Sequence, residues 1–211
     1  MTLTRTLPEG QSAGALGAGM LPSDEKATDL TQNWAKQISQ FLGDLESGVT
    51  SDELVGVLRD FLQLRAYEAI EWLSADGEKR RLSLWLYDER SNSLSIYFNN
   101  GITDQQTKDA KVPNGTGIVG TVYKLQQQWN ERDAPSLPVW IPIKSHPPRY
   151  HGIFLTPVNY ADLQLGVLVV DRRKREIFSE SAVDVMSALA AVFAVAIGNK
   201  YAQQLLRGPD G

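Results

Sequence analysis

From Leu30 the apolar residues Leu30, Trp34, Ile38, Phe41 and Leu45 recur three to four positions apart, which places them on one face of a helix with polar residues behind. Gly43 and Gly48 weaken the end of that helix, and Thr50 with Glu53 has the spacing of a capping box opening a second helix through Ser74. Leu54, Leu58, Phe61, Leu62, Ala66, Ala69 and Trp72 give the second helix a broad apolar face. The period then changes. Leu82, Leu84 and Leu86 alternate with Ser83, Trp85 and Tyr87, as the two faces of a strand do, and a second run from Leu94 to Phe98 follows across the turn formers Glu89 to Ser93. These two runs predict a hairpin.

Beyond it, residues 101–111 read as loop or short helix, and Val112 to Gly120 opens a short helix toward Leu125. Trp129 sits on a brief strand, and the five prolines between Asp133 and Tyr150 predict an irregular connection. Gly152 to Val158 and Gln164 to Asp171 read as two antiparallel strands joined by a turn at Asn159 to Asp162. Ser179 caps a last helix on which Val183, Met186, Ala190, Phe193, Ile197, Tyr201 and Leu205 keep helical spacing. Helices bracketing a mainly antiparallel sheet make an α+β fold.

Pro8 to Ser23 is glycine, alanine and proline with few large apolar groups, so it cannot offset the entropy of ordering. Residues 1–24 and 208–211 are therefore expected to be tails, 25–49 an N-terminal helix and 50–207 the domain. A hydrophobic fraction of 42% with 22% charged residues fits a soluble domain, and no stretch is expected to span a membrane. Met1 to Gly10 lacks an apolar run, which predicts a cytoplasmic chain without a leader. The absence of cysteine excludes disulfides, thiolate-bound metal, a thiol nucleophile and thioether-linked cofactors, so no covalent cofactor is expected. A net charge of −4 argues against general nucleic-acid binding.

Several segments stand in an order that resembles a GAF domain over roughly residues 54–206. They are the hairpin before Asn99-Asn100-Gly101, the glycine-rich Pro113 to Gly120, the run Leu165 to Val170, Phe178-Ser179-Glu180-Ser181, and the alanine-rich helix ending Ala194 to Asn199. The resemblance implies a central antiparallel sheet of five to six strands, with the terminal helices on one face and a ligand pocket under short helices and loops on the other. It also implies dimerisation through the terminal helices. Here the pocket would be roofed by Asn114, Gly115, Thr116 and Gly117 through Gly120 and by the proline-rich connection. Its floor would be the outward side of Trp85, Tyr97, Phe154 and Thr156 or of their strand neighbours, because alternation does not say which face is which. Trp140, Tyr150 and His151 fall beside it and offer stacking or a hydrogen bond. The pattern of the family's cyclic-nucleotide receptors, a Phe followed after three residues by Asp-Glu, is not met: Phe178 has Ala182-Val183 at that offset. Members that attach a bilin or reduce methionine sulfoxide need cysteines that this chain lacks.

Other signatures are weighed against plainer readings. Gly115, Gly117 and Gly120 spell the dinucleotide fingerprint but follow a polar segment and a proline instead of a buried strand; what survives is free backbone N–H groups at a helix start, able to meet a phosphate. The nucleophile-elbow pattern at Gly10 to Gly14 lies in the tail and reads as chance. His146 and His151 lack companions at metal-ligand spacing. Arg172, Arg173, Lys174 and Arg175 would approach Lys79, Arg80 and Arg81 if the last strand pairs with the first, giving a basic edge for an anionic partner. No catalytic constellation is readable, so the chain is expected not to be an enzyme. The leading expectation is a regulatory module that binds a small molecule, with a nucleotide messenger among the options, and signals through a homodimer to a separate output protein. The alternative is an interaction module with a vestigial pocket, joining through Leu30, Trp34, Ile38, Phe41, Phe193, Ile197 and Tyr201. An enzyme with dispersed acids stands third.

Overall fold

The computed structural model describes residues 24–46, 51–141 and 150–207. The expected tails at 1–23 and 208–211, Thr50 of the capping box, His146 and the side chain of Tyr201 lie outside what is described. In chain order the elements are α1 (Asp24–Glu46), α2 (Ser51–Leu73), β1 (Arg80–Asp88), β2 (Ser93–Asn100), α3 (Gln105–Lys108), β3 (Lys111–Pro113), α4 (Gly117–Leu125), β4 (Trp129–Glu131), the 3-10 turn η1 (Ala134–Ser136), β5 (Gly152–Tyr160), β6 (Leu163–Arg172) and α5 (Glu180–Arg207). The strands form one six-stranded sheet in the order β3-β2-β1-β6-β5-β4, with every neighbouring pair antiparallel. The α+β expectation holds, and both hairpins form. At the first, Asp88 caps its own turn by accepting from the Arg90 amide at 3.1 Å and the Ser91 hydroxyl at 2.7 Å. The second is tighter than expected: Tyr160 pairs with Leu163, leaving only Ala161, at φ 48°, and Asp162 in the turn.

The sheet divides two hydrophobic clusters. Leu82, Leu84, Phe98, Phe154, Val158, Leu168 and Val170 face α1, α2 and α5. Trp85, Leu94, Ile153, Leu155, Val167 and Val169 face the other way, against α4 and residues 134–140. β5 carries Pro157 inside a strand, and the position explains why it is tolerated: β4 stops pairing at Leu155, so nothing on that side needs the missing donor. Ser179 caps α5 as expected, its hydroxyl accepting from the Ala182 amide at 3.3 Å.

One described helix is long and apolar enough to cross a membrane by length and composition, which corrects the expectation that no stretch approaches that limit. The window is Glu180–Asn199 in α5, with mean hydropathy 2.0, and 61% of it is buried inside the chain against the sheet and α1. Core packing accounts for its apolarity.

The apolar face of α1 is also used internally. Trp34 and Phe193 are fully buried, Phe41 and Ile197 nearly so, and Leu30 and Ile38 pack against the same cluster. The indole of Trp34 donates to Glu68 at 2.8 Å, and Phe41 stacks on Phe61 with centroids 4.4 Å apart. The step from Trp34 to Phe41 along α1 thus matches the step from Glu68 back to Phe61 along α2, so the two helices run antiparallel with Gln37 opposite Arg65. Of the residues expected to join two copies, Trp34, Phe41, Phe193 and Ile197 are thus buried within one chain, and Leu30 and Ile38 pack on the same cluster, because α1 folds back on α2 and α5.

Candidate functional site

The sheet face under α4 begins at the apolar end. Tyr87 and Tyr123 stack with centroids 4.6 Å apart, and the Tyr123 hydroxyl, its pKa pushed up to about 12 by burial, donates to Gln164 O at 3.2 Å. Moving along β1 and β6, Trp85 pairs with Ile96 on one side and Val167 on the other. Trp140, Leu137 and Val139 cover this stretch with Ile118 and Val122 of α4.

At the far end the face turns polar. Ser83 accepts from the Trp85 indole N–H at 3.0 Å and lies in register with Asn99, which places both on this face. One pair further on, Arg81 and Asp171 face each other in a bidentate bond, Nε to Oδ1 at 2.8 Å and Nη2 to Oδ2 at 2.6 Å. The ring of Tyr150 lies 3.5 Å from the Arg81 guanidinium carbon, and Arg173 approaches the same ring at 5.9 Å. Burial pushes the Asp171 carboxyl up, against the opposing pull of Arg81. The Arg81 and Asp171 side chains keep 25% and 15% exposure, so the pair is reachable from solvent.

The two possibilities for the floor are now separated. Trp85 is on the second face; Phe154 and Thr156 are on the helix face, and their neighbours Ile153 and Leu155 take the floor positions. Tyr97 packs toward the helices because the β1/β2 register shifts between Leu84 and Trp85: Leu84 pairs with Phe98 and Trp85 with Ile96, leaving Tyr97 as the extra residue of a bulge. The bulge also puts Phe98 on the opposite face from Ile96.

The glycine-rich segment is a self-bonded loop. Asn114 N donates to Asn92 O at 3.1 Å, Gly115 N to Gly120 O at 2.9 Å and Thr116 N to Pro113 O at 3.0 Å, so three of the four amides expected to meet a phosphate there are already engaged. Glycine is favoured at all three of these positions for backbone reasons: Gly115 and Gly117 have φ 78° and 61°, and a Cβ on Gly120 would lie 2.3 Å from Pro113 O. His151 is held at Nδ1, 2.8 Å from Asp133 Oδ1 and 3.2 Å from Arg175 Nε.

The basic edge is corrected by its partners. Strand pairing does bring Arg80 beside Arg172 and Arg81 beside Asp171. Arg80, however, is buried and donates to Asp76 at 2.7 Å on both oxygens and to Leu73 O, while Arg172 bonds Glu78 at 2.5 Å and Glu176 at 3.2 Å. Arg80 holds the Asp76 carboxyl down to about 2, and Glu78, which burial would raise, is kept low by Arg172. Lys79, Arg173, Lys174 and Arg175 remain exposed. The groove between the N-terminal parts of α1 and α5, about 370 Å³, is lined by Asp24, Thr28, Thr31, Glu180, Ser181 and Asp184, of which the acids Asp24, Glu180 and Asp184 complement two helix N-termini. Among the described residues no group of three or more His, Asp or Glu side chains could hold a metal ion.

No protein-family profile and no curated protein sequence matches the chain. Solved structures do. The GAF domain of an Acinetobacter phosphoenolpyruvate-protein phosphotransferase is similar at TM-score 0.64 and 21% identity, over 86% of this chain and 97% of that one. The GAF domain of the corresponding Coxiella burnetii protein is similar at TM-score 0.59 and 22% identity, over 83% and 98%. A type II free methionine-R-sulfoxide reductase from Thermoplasma acidophilum is similar at TM-score 0.54 and 17% identity, over 67% and 96%. At these identities the likeness is one of fold, and the fold is GAF-like.

Proposed function

We propose that the chain is a regulatory module that binds a small molecule on the second sheet face and performs no chemistry on it. The observation that carries this reading is the convergence of Ser83, Asn99, Arg81, Asp171 and Tyr150 at one end of a face that is otherwise apolar. An apolar floor with a few convergent polar groups is the usual make-up of a ligand site. Thiol chemistry of any kind is closed to a chain without cysteine, and His151, the described histidine, is tied to Asp133 and Arg175. A ligand bound there stabilises the folded state by mass action. Screening nucleotides, amino acids and other planar metabolites by thermal shift should find one that raises Tm in the native chain and does so less in Ser83→Ala and Asn99→Ala. Equal stabilisation of all three proteins would place the ligand elsewhere.

A second reading, an interaction module, is favoured by α2, whose outer side exposes Val57, Leu64 and Tyr67. On that reading a partner or second copy docks on α2 and not on the buried face of α1. Leu64→Asp should then dissociate the complex in sedimentation velocity, and an unchanged association state would remove α2 as the contact.

A further inference from the structure

We infer that the turn between β6 and α5, with Lys79 beside it, is a docking surface for an acidic segment of another protein. This is a separate reading from the ligand site above and does not depend on it. The acids around the turn are already engaged: Asp76 and Glu78 by Arg80 and Arg172, Asp171 by Arg81, and Asp133 by His151 and Arg175. Lys79, Arg173 and Lys174 are exposed, and among the described residues their side chains have no ion pair or hydrogen bond; Arg173 has only the Tyr150 ring, at 5.9 Å. Carrying the register one step past the Arg80–Arg172 pair sets Lys79 opposite Arg173, so the unneutralised charges collect at one end of the sheet.

The turn is held in place. His151 N donates to Arg172 O at 2.9 Å, Gly152 N to Lys174 O at 3.0 Å and Lys174 N to Glu78 Oε1 at 3.0 Å. On the far side the Asn130 amide donates to Phe178 O and accepts from Phe178 N, both at 2.9 Å. The backbone is therefore fixed before a partner arrives, which removes its ordering cost from binding. Between these anchors stands Ile177, 59% exposed and the most exposed large apolar residue among those described. Cations beside one apolar side chain divide the work: the charges steer and select, and covering Ile177 adds affinity.

The turn's own acids choose between polyanions. Glu176, 60% exposed, and Glu180 follow the cations directly. A nucleic-acid duplex or an anionic membrane brings unbroken negative charge and meets both of them. A peptide with a few carboxylates around an apolar residue places its charge on Lys79, Arg173 and Lys174 alone.

The test is fluorescence anisotropy of the full chain with a labelled peptide of Asp and Glu around a central Leu, beside its Asn/Gln counterpart. The acidic peptide should bind, the amide form about tenfold weaker or worse, and raising salt from about 50 to about 500 mM should loosen the complex. The double variant Arg173→Glu, Lys174→Glu should abolish binding and Ile177→Ser weaken it about tenfold, while Lys36→Glu, an exposed cation on α1, leaves it unchanged. If a variant loses its fold by circular dichroism, the salt series and the amide peptide on the unmodified chain decide. No binding of the acidic peptide, binding indifferent to salt, or an amide form that binds as tightly overturns the inference. So does tighter binding of duplex DNA, or of phosphatidylserine–phosphatidylcholine vesicles, that the same double variant removes.

Discussion

Gly166 shows how a single missing Cβ shapes this sheet. A Cβ there would lie 1.9 Å from Trp85 O, a backbone atom that cannot swing aside, so β1 and β6 approach as they do only because residue 166 is glycine. Gly166→Ala should destabilise the fold by about 3 kcal/mol, measured by urea unfolding; a loss indistinguishable from zero would mean that the strands part freely. Asp76 belongs to the same scale. Its folded pKa of about 2 lies below its ordinary value of 3.8, so the stabilisation from Arg80 is complete above pH 4 and disappears as pH falls toward 2. Asp76→Asn should therefore be less stable than the native chain at pH 7, and the two stability curves should converge between pH 4 and 2. Parallel curves would contradict the pairing. Neither feature was readable in advance: a glycine in an apolar run and an Asp four residues before an Arg are both common, and only the folded register gives them partners.

At the scale of elements, what could be read followed from how strongly each pattern repeats. The helices and the four long strands carry their own periodicity and were legible. β3 was not, because Lys111-Val112-Pro113 is too short to alternate and exists only by pairing with Ser93 to Ser95. The faces of β5 and the bulge at Tyr97 depended on register, which alternation leaves open. The face of α1 was read correctly as apolar but assigned to another molecule, since a sequence does not say whether a helix folds back. The α1–α2 seam carries a further test. Among the described residues Gln37 Oε1 and Arg65 Nε and Nη1 are buried there without hydrogen-bond partners, while Arg65 is ion-paired with Glu68 at 3.3 Å and lies over the Phe61 ring. Half-satisfied polar groups of this kind contribute little net stability. The double variant Gln37→Leu, Arg65→Met should stay within about 1 kcal/mol of the native chain or exceed it, whereas Trp34→Ala should lose about 3–5 kcal/mol. A collapse of the double variant would show that the seam holds α1 in place.

On the scale of the whole molecule the sheet separates two jobs. One face, with α1, α2 and α5, is a conventional packed core; the other runs from the Tyr87–Tyr123 stack to the Arg81–Asp171 pair. Adjacent residues of β1 and β6 tie the two sides at one end, since Arg81 and Asp171 point to the second face while Arg80 and Arg172 bond Asp76, Glu78 and the backbone at Leu73 and Ile177. The corner is thereby joined, within one residue, to the end of α2 and the approach to α5. The layers were legible in the sequence; Ser83, Asn99 and the Arg81–Asp171 pair, on which the proposed site rests, are brought together only by strand pairing. The most direct test is the indole N–H resonances of the five tryptophans in a two-dimensional proton–nitrogen spectrum, recorded while the compound that most raises Tm in the thermal-shift screen is titrated in. Binding at the corner predicts that the Trp85 signal, whose proton bonds Ser83, shifts most while that of Trp34, buried between α1 and α2, stays fixed. A bound ligand that moves Trp34 and leaves Trp85 unchanged would contradict the site.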